Sequence, residues 1–180
     1  MPASASSFDT VSVRAPENPK SNKPLAVTSS SFSEGQPIGK DFVFTGCGGK
    51  NQSPQLAWSG APSGTKSFAI TCFDPDAPTG SGYWHWLAFD ISASVASINA
   101  GAGSNTPPAG GKGGTSDFGM TSYGGPCPPK GDAPHRYIFT VYALDVDSLG
   151  GDSSTTGATM IFKMRGHVLA KGSITGLFGH

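Results

Sequence analysis

Apolar and polar residues alternate most clearly in three stretches of the chain. "KSFAITCFD" sets Phe68, Ile70 and Cys72 on one side, "YWHWLAFDI" opens with bulky aromatic residues, and "RYIFTVYALDV" is the clearest of the three. A period of two marks a strand with one buried face. "LAVTSSSF", "KDFVFT" and the short segment Leu56 to Trp58 read as further strands, and "SITGLF" as a last short one. In "STTGATMIFKMRGHVLAKG" the apolar positions Met160, Ile161, Met164, Val168 and Leu169 follow helical spacing instead, with Thr155 or Thr156 as N-cap and Gly172 just past the end.

Several short strands and one late helix predict an all-β chain. The expected architecture is an antiparallel β-sandwich of two sheets with one or two short helices, the main one near the C-terminus. Residues 1–24 read as a polar, Pro-punctuated extension and 25–180 as a single domain. From Ser97 to His135 the chain has no periodicity, and aperiodic loops of that length in a compact domain tend to be functional.

Composition narrows the function classes. The chain has 180 residues, enough for a sizeable core, and its 12 basic and 12 acidic residues cancel. No basic stripe is present, which argues against nucleic-acid binding. No apolar run reaches membrane-spanning length, and the N-terminus lacks the charged and apolar blocks of a secretory signal, so a soluble cytoplasmic protein is expected. Cys72 sits in an apolar strand and reads as a small buried hydrophobe. Cys47 and Cys127 lie in Gly/Pro-rich loops that could approach each other, and a disulfide between them is the less favoured expectation.

Strand parity places the polar groups. Asp74 falls on the parity of Phe68, Ile70 and Cys72; His85 on that of Leu87, Phe89 and Ile91; His135 and Tyr137 on that of Phe139 and Val141. If those strand ends are neighbours, Asp74, His85, His135 and Tyr137 line one pocket. Each feature has a plainer reading: a lone histidine on an apolar face is usually a satisfied core residue, and Asp-Pro-Asp is usually a turn. Only their coincidence favours a site. There a carboxylate would hold a proton on the imidazole, and with a phenol and loop N–H groups would make an anion site. Gly124 and Gly125 would let the backbone approach a ligand, and Tyr83, Trp84 and Trp86 would cover its apolar or cationic part. No nucleophile elbow, zincin or phosphate-loop motif is present, and a metal held by the two aspartates and two histidines ranks below an anion.

"DPDAPTGSGYWHW" followed by "YGGPCPPKGDAPHRYIFTVYAL" resembles the phosphatidylethanolamine-binding protein family, and within it the bacterial Raf-kinase-inhibitor-like branch. "SFSEGQPIGKDFVFTGCGGKNQSPQLAWSGAP" and "GHVLAKGSITGLFG" extend the similarity from about Leu25 to the C-terminus. The resemblance implies a large antiparallel β-sandwich with a small pocket for phosphate, acetate or a phosphoethanolamine-like headgroup, and an unusual peptide at the rim, with the cis form as one option. It maps the family's motif onto Asp74, Asp76, His85, His135 and Tyr137. Eukaryotic relatives carry two adjacent histidines where this chain has "WHW", Cys127 stands where some relatives have glycine, and "GLFGH" does not match the eukaryotic C-terminal helix.

The expectation is a non-catalytic binding protein with ligand-binding residues Asp74, Asp76, His85, His135, Tyr137, Trp84 and Gly125, without metal or cofactor. The alternatives are a kinase or protease inhibitor acting through the rim loop Ala100 to Pro134, and a weak hydrolase using His85 with Asp74. An exposed apolar sheet face would allow two copies to pair.

Overall fold

The computed structural model describes residues 19–21 and 23–180, so most of the extension expected over residues 1–24 lies outside the described residues. Among the described residues nine strands and one α-helix follow in order: β1 (Ala26–Thr28), β2 (Gln36–Pro37), β3 (Leu56–Ser59), β4 (Ser67–Asp74), β5 (Tyr83–Ser92), β6 (Ser97–Ile98), β7 (Lys112–Gly113), β8 (His135–Leu144), α1 (Gly157–Met164) and β9 (Val168–Phe178). They form a three-stranded sheet, β1-β3-β6, and a six-stranded sheet, β2-β9-β8-β4-β5-β7. Pairing is antiparallel throughout except for β2 with β9, which is parallel.

The main core lies between the sheets. Phe68, Ile70 and Cys72 of β4, Tyr137, Phe139 and Val141 of β8, and Ile174 of β9 pack there against Leu56 and Trp58 of β3 and Ile98 of β6. The outer face of the large sheet carries a second cluster, in which Ala69, Leu87, Phe89, Tyr142 and Leu144 meet Met160 and Met164 of α1. Truncating a fully buried ring such as Phe139 to alanine would cost about 3–5 kcal/mol.

The helix is shorter than its apolar spacing suggests. Thr156 caps it by accepting from the Thr159 amide, and it stops at Met164, with Gly166 at φ +79°. Val168 and Leu169 open β9 instead, an 11-residue strand in place of the short one expected. Val168 lies on the second cluster from a strand, so a helix-like spacing arose across two elements. "KDFVFT" is not a strand either: Lys40–Phe42 and Thr45–Cys47 are single 3-10 turns. Their amides bond within the segment or to the Pro126 carbonyl rather than to a ladder.

Cys47 and Cys127 form a disulfide, with Cα atoms 5.5 Å apart, against the expectation of free thiols. The 3-10 turn carrying Cys47 is held to the proline loop by the Phe44 amide on the Pro126 carbonyl, which brings the two cysteines within bonding reach. Cys72 is free and buried, as expected. No cis peptide occurs among the described residues, contrary to the rim feature that the resemblance implied.

Candidate ligand cavity

Because β4 is antiparallel to both β5 and β8, its C-terminal end meets the N-terminal ends of those two strands. Asp74 is the last residue of β4, Tyr83 the first of β5 and His135 the first of β8. A cavity of about 370 Å³ opens there, lined by Asp74, Tyr83, His85, His135 and Tyr137. Its remaining wall comes from Phe44 and Gly46, from Ala77 to Thr79, and from Phe118, Cys127, Pro128 and Pro129. Four residues placed by parity therefore share one cavity.

His85 arrives there for a reason that parity missed. The β4–β5 register shifts so that Cys72 faces Trp86 while Phe73 faces Trp84, leaving His85 as the extra residue. A bulge of this kind reverses the alternation beyond it. His85 and Trp86 both point inward, whereas Leu87 and Phe89, expected on the face of His85, pack outward against the helix side. Trp86 is wholly buried, edge-on to Tyr123, and Gly103 lies flat on its indole, so it does not cover a ligand.

Asp74 organises the floor of the cavity. Its Oδ1 accepts the amides of Asp76 (2.8 Å) and Ala77 (3.1 Å), closing the Asp-Pro-Asp turn. Its Oδ2 stands 2.8 Å from Nδ1 of His135 and 4.0 Å from Nε2 of His85. His135 Nε2 faces Asp132 Oδ2 at 3.3 Å, so both ring nitrogens look at carboxylates. Burial opposes the charge on His135, but the hydrogen bond and charge of Asp74, helped by Asp132, outweigh it and raise the pKa above 6.5. Only an imidazolium can donate from both nitrogens, so His135 carries the positive charge that balances Asp74.

His85 is the opposite case. Its Nδ1 donates to the Gly124 carbonyl at 2.8 Å, which leaves Nε2 to accept in the neutral ring. Tyr83, Phe118 and Tyr137 enclose it edge-on, with ring centroids 5.1–5.2 Å away. Burial pushes its pKa below 6.5 and prevails over the Gly124 carbonyl and Asp74, which favour the cation. The imidazole expected to be charged by its carboxylate is thus neutral near pH 7, and His135 is the charged one.

The Tyr137 hydroxyl is buried and has no hydrogen-bond partner among the described residues. Burial first, and the charge of Asp74 second, hold the phenol protonated far above its usual range; the Cys127 backbone pulls slightly the other way but is not in hydrogen-bonding geometry. An unpaired buried donor at a cavity wall is costly unless a ligand or water meets it.

Three expected residues stand elsewhere. Asp76 forms a two-pronged ion pair with Arg136, Nη2 to Oδ1 at 2.7 Å and Nε to Oδ2 at 2.9 Å, and also accepts the Arg136 amide. That hydrogen-bonded pairing lowers its pKa and turns it away from the cavity. Trp84, one position from His85 and across the sheet from it, packs on Phe73 at 4.4 Å and lines a groove of about 730 Å³ on the outer face. Gly125 serves chain packing: a Cβ there would meet the Phe42 and Val43 backbone, and its amide donates to Asn51 Oδ1. Conversely, Phe44, in the segment expected as a strand, and Phe118, in the aperiodic loop, line the cavity although no sequence pattern singled them out for it. Asp132 had a weak signal, three residues before His135.

The profile of the family described as phosphatidylethanolamine-binding protein matches residues 28–179. The UPF0098 protein YbcL of Escherichia coli K12 is 45% identical over 157 residues, covering 84% of this chain and 86% of that one. YbhB of the same organism is 44% identical over 158 residues, covering 86% and 99%. The crystal structure of E. coli YbcL, described as a new member of the mammalian PEBP family, superposes with a TM-score of 0.84 at 43% identity, covering 88% of this chain and 99% of that one. The Chlamydia trachomatis homologue CT736 superposes with a TM-score of 0.76 at 32% identity, covering 87% and 98%.

Proposed function

The chain belongs to the phosphatidylethanolamine-binding protein family, and on that premise we propose that it is a binding protein, rather than a catalyst, whose cavity takes the phosphate or carboxylate group of a small ligand. The observation that carries this reading is the unpartnered Tyr137 hydroxyl, on a ring whose centroid is 5.1 Å from that of His85, in one cavity with Asp74 and His135. The phenol offers a ready hydrogen bond to an anionic oxygen. His85 offers one only after taking up a proton, so binding of an anion is coupled to protonation of His85. A neutral Asp74–His135 pair keeps the Asp74 charge from repelling the guest. The rings of Phe44, Tyr83 and Phe118 and the proline walls suit the apolar part of the ligand.

Of the hydroxyl and thiol candidates for a nucleophile in the cavity lining, Thr79 Oγ1 donates to the Gly82 carbonyl and Cys127 is held in the disulfide, which argues against a nucleophilic hydrolase. Among the described residues no helix is long and apolar enough to cross a membrane. The rim disulfide suits an oxidising compartment; a cytoplasmic location goes with the same pair as thiols.

Calorimetric titration with phosphate, acetate and phosphoethanolamine tests the proposal. One site of millimolar or better affinity that Tyr137→Phe weakens supports it. Absence of binding for all three, or equal binding by the variant, overturns it.

A further inference from the structure

The geometry points to a second site: once reduced, Cys47 and Cys127 form with His180 a three-ligand site for a soft or borderline transition-metal ion such as Zn²⁺ or Cu⁺. One ligand atom from each residue lies within 4.8 Å of the others, with the cysteines half-buried and the histidine exposed. His180 Nε2 stands 3.1 Å from Cys47 Sγ. Three remote segments converge here: the 3-10 turn Thr45–Cys47, the proline loop, and the residues after β9. The Phe44 amide on the Pro126 carbonyl fixes the first to the second, and the pairing of His135 with Phe178 fixes the third to the start of β8.

Two thiolates and an imidazole select zinc or copper(I) over magnesium or calcium. In a tetrahedral site with Zn–S bonds of about 2.3 Å the sulfurs stand about 3.8 Å apart. Cα atoms 5.5 Å apart allow that opening without moving the backbone segments. The exposed side of His180 leaves a fourth position open to solvent or to a ligand. Of the three residues only Cys127 also lines the anion cavity, so the site is separate from the Asp74–His85–Tyr137 constellation although it shares a wall with it.

The disulfide itself is a poor ligand, so reduction comes first. A dithiol reductant supplies two electrons and two protons; the S–S bond breaks, each sulfur becomes a thiol, and the reductant leaves as its own disulfide. The metal ion then displaces the two thiol protons to solvent. The pair is thus a structural cross-link when oxidised and a metal site when reduced.

Co²⁺ and Zn²⁺ titration of the full chain, oxidised and after reduction with the reductant removed, tests this. The reduced protein is expected to take up one equivalent with the visible absorption of tetrahedral thiolate-bound Co²⁺, displaced by Zn²⁺, and the oxidised protein none. His180→Ala, at an exposed position, weakens the affinity by more than about a hundredfold, beyond the roughly 10–100-fold that loss of an outer-shell partner costs. The double variant Cys47→Ser, Cys127→Ser removes uptake while retaining Cys72. The proposal is overturned if the reduced protein takes up no metal, if the oxidised protein or the double variant binds equally, or if His180→Ala matches the parent.

Discussion

Asp74 and His135, 61 positions apart in sequence, meet at 2.8 Å with both side chains buried. The pair sits where β4 ends and β8 begins, so the register between two central strands sets it directly. Neither partner can be relieved by solvent, and this couples the floor of the cavity to the stability of the sheet.

Asp74→Asn keeps an oxygen to accept the Asp76 and Ala77 amides but removes the charge facing His135. The His135 pKa is expected to fall, which NMR titration of the ring would read. Breaking a buried pair of this kind costs about 3 kcal/mol in stability by denaturant unfolding. An unchanged His135 titration would show that Asp74 is not its charge partner.

The two histidines bend the pH profile in opposite directions. His135 has a raised pKa, so its contribution is complete below 6.5 and is lost as pH rises through the folded value. His85 has a lowered pKa, so the protein loses stability as pH falls below 6.5 toward its folded value. Together they place maximal stability near pH 6.5, with loss on both sides. His135→Gln is expected to lower stability and flatten the alkaline limb of the profile; a limb of unchanged slope contradicts the assignment.

Tyr137→Phe separates binding from folding. The hydroxyl has no partner to lose, so stability changes by no more than about 1 kcal/mol, in either direction. Affinity for a small anion falls about tenfold, the worth of one charge-assisted hydrogen bond. A large loss of stability with unchanged affinity would reverse the role given to this phenol.

The disulfide closes a loop of 80 residues between Cys47 and Cys127. On loop-closure grounds its removal by Cys47→Ser with Cys127→Ser destabilises the fold by about 4 kcal/mol. Chemical denaturation of the double variant against the oxidised parent checks this.

Much of the cavity was legible in the sequence because β8 is regular and β4 keeps one face to the core near its end. His135 and Tyr137 follow unbroken alternation with Phe139 and Val141, and Asp74 follows Cys72. His85 was placed correctly through an alternation that the bulge at Cys72 and Phe73 in fact breaks, since Leu87 and Phe89 face the other way. Trp84 was misplaced because its ring suggested a lid, although its position beside His85 puts it across the sheet. Asp76 went to Arg136, a partner that a pattern of apolar positions does not reveal. The loop walls and the cysteine pairing depend on contacts between remote segments, as does the strand that follows Gly166, and none of these carries a local period.

Acetate affinity measured at about pH 6 and about pH 8 tests the central claim most directly, because acetate keeps its single charge across that range while the histidines titrate. The account predicts tighter binding at the lower pH with proton uptake, as His85 charges against the bound anion and His135 stays protonated. Affinity that is independent of pH, with no proton taken up, would contradict it.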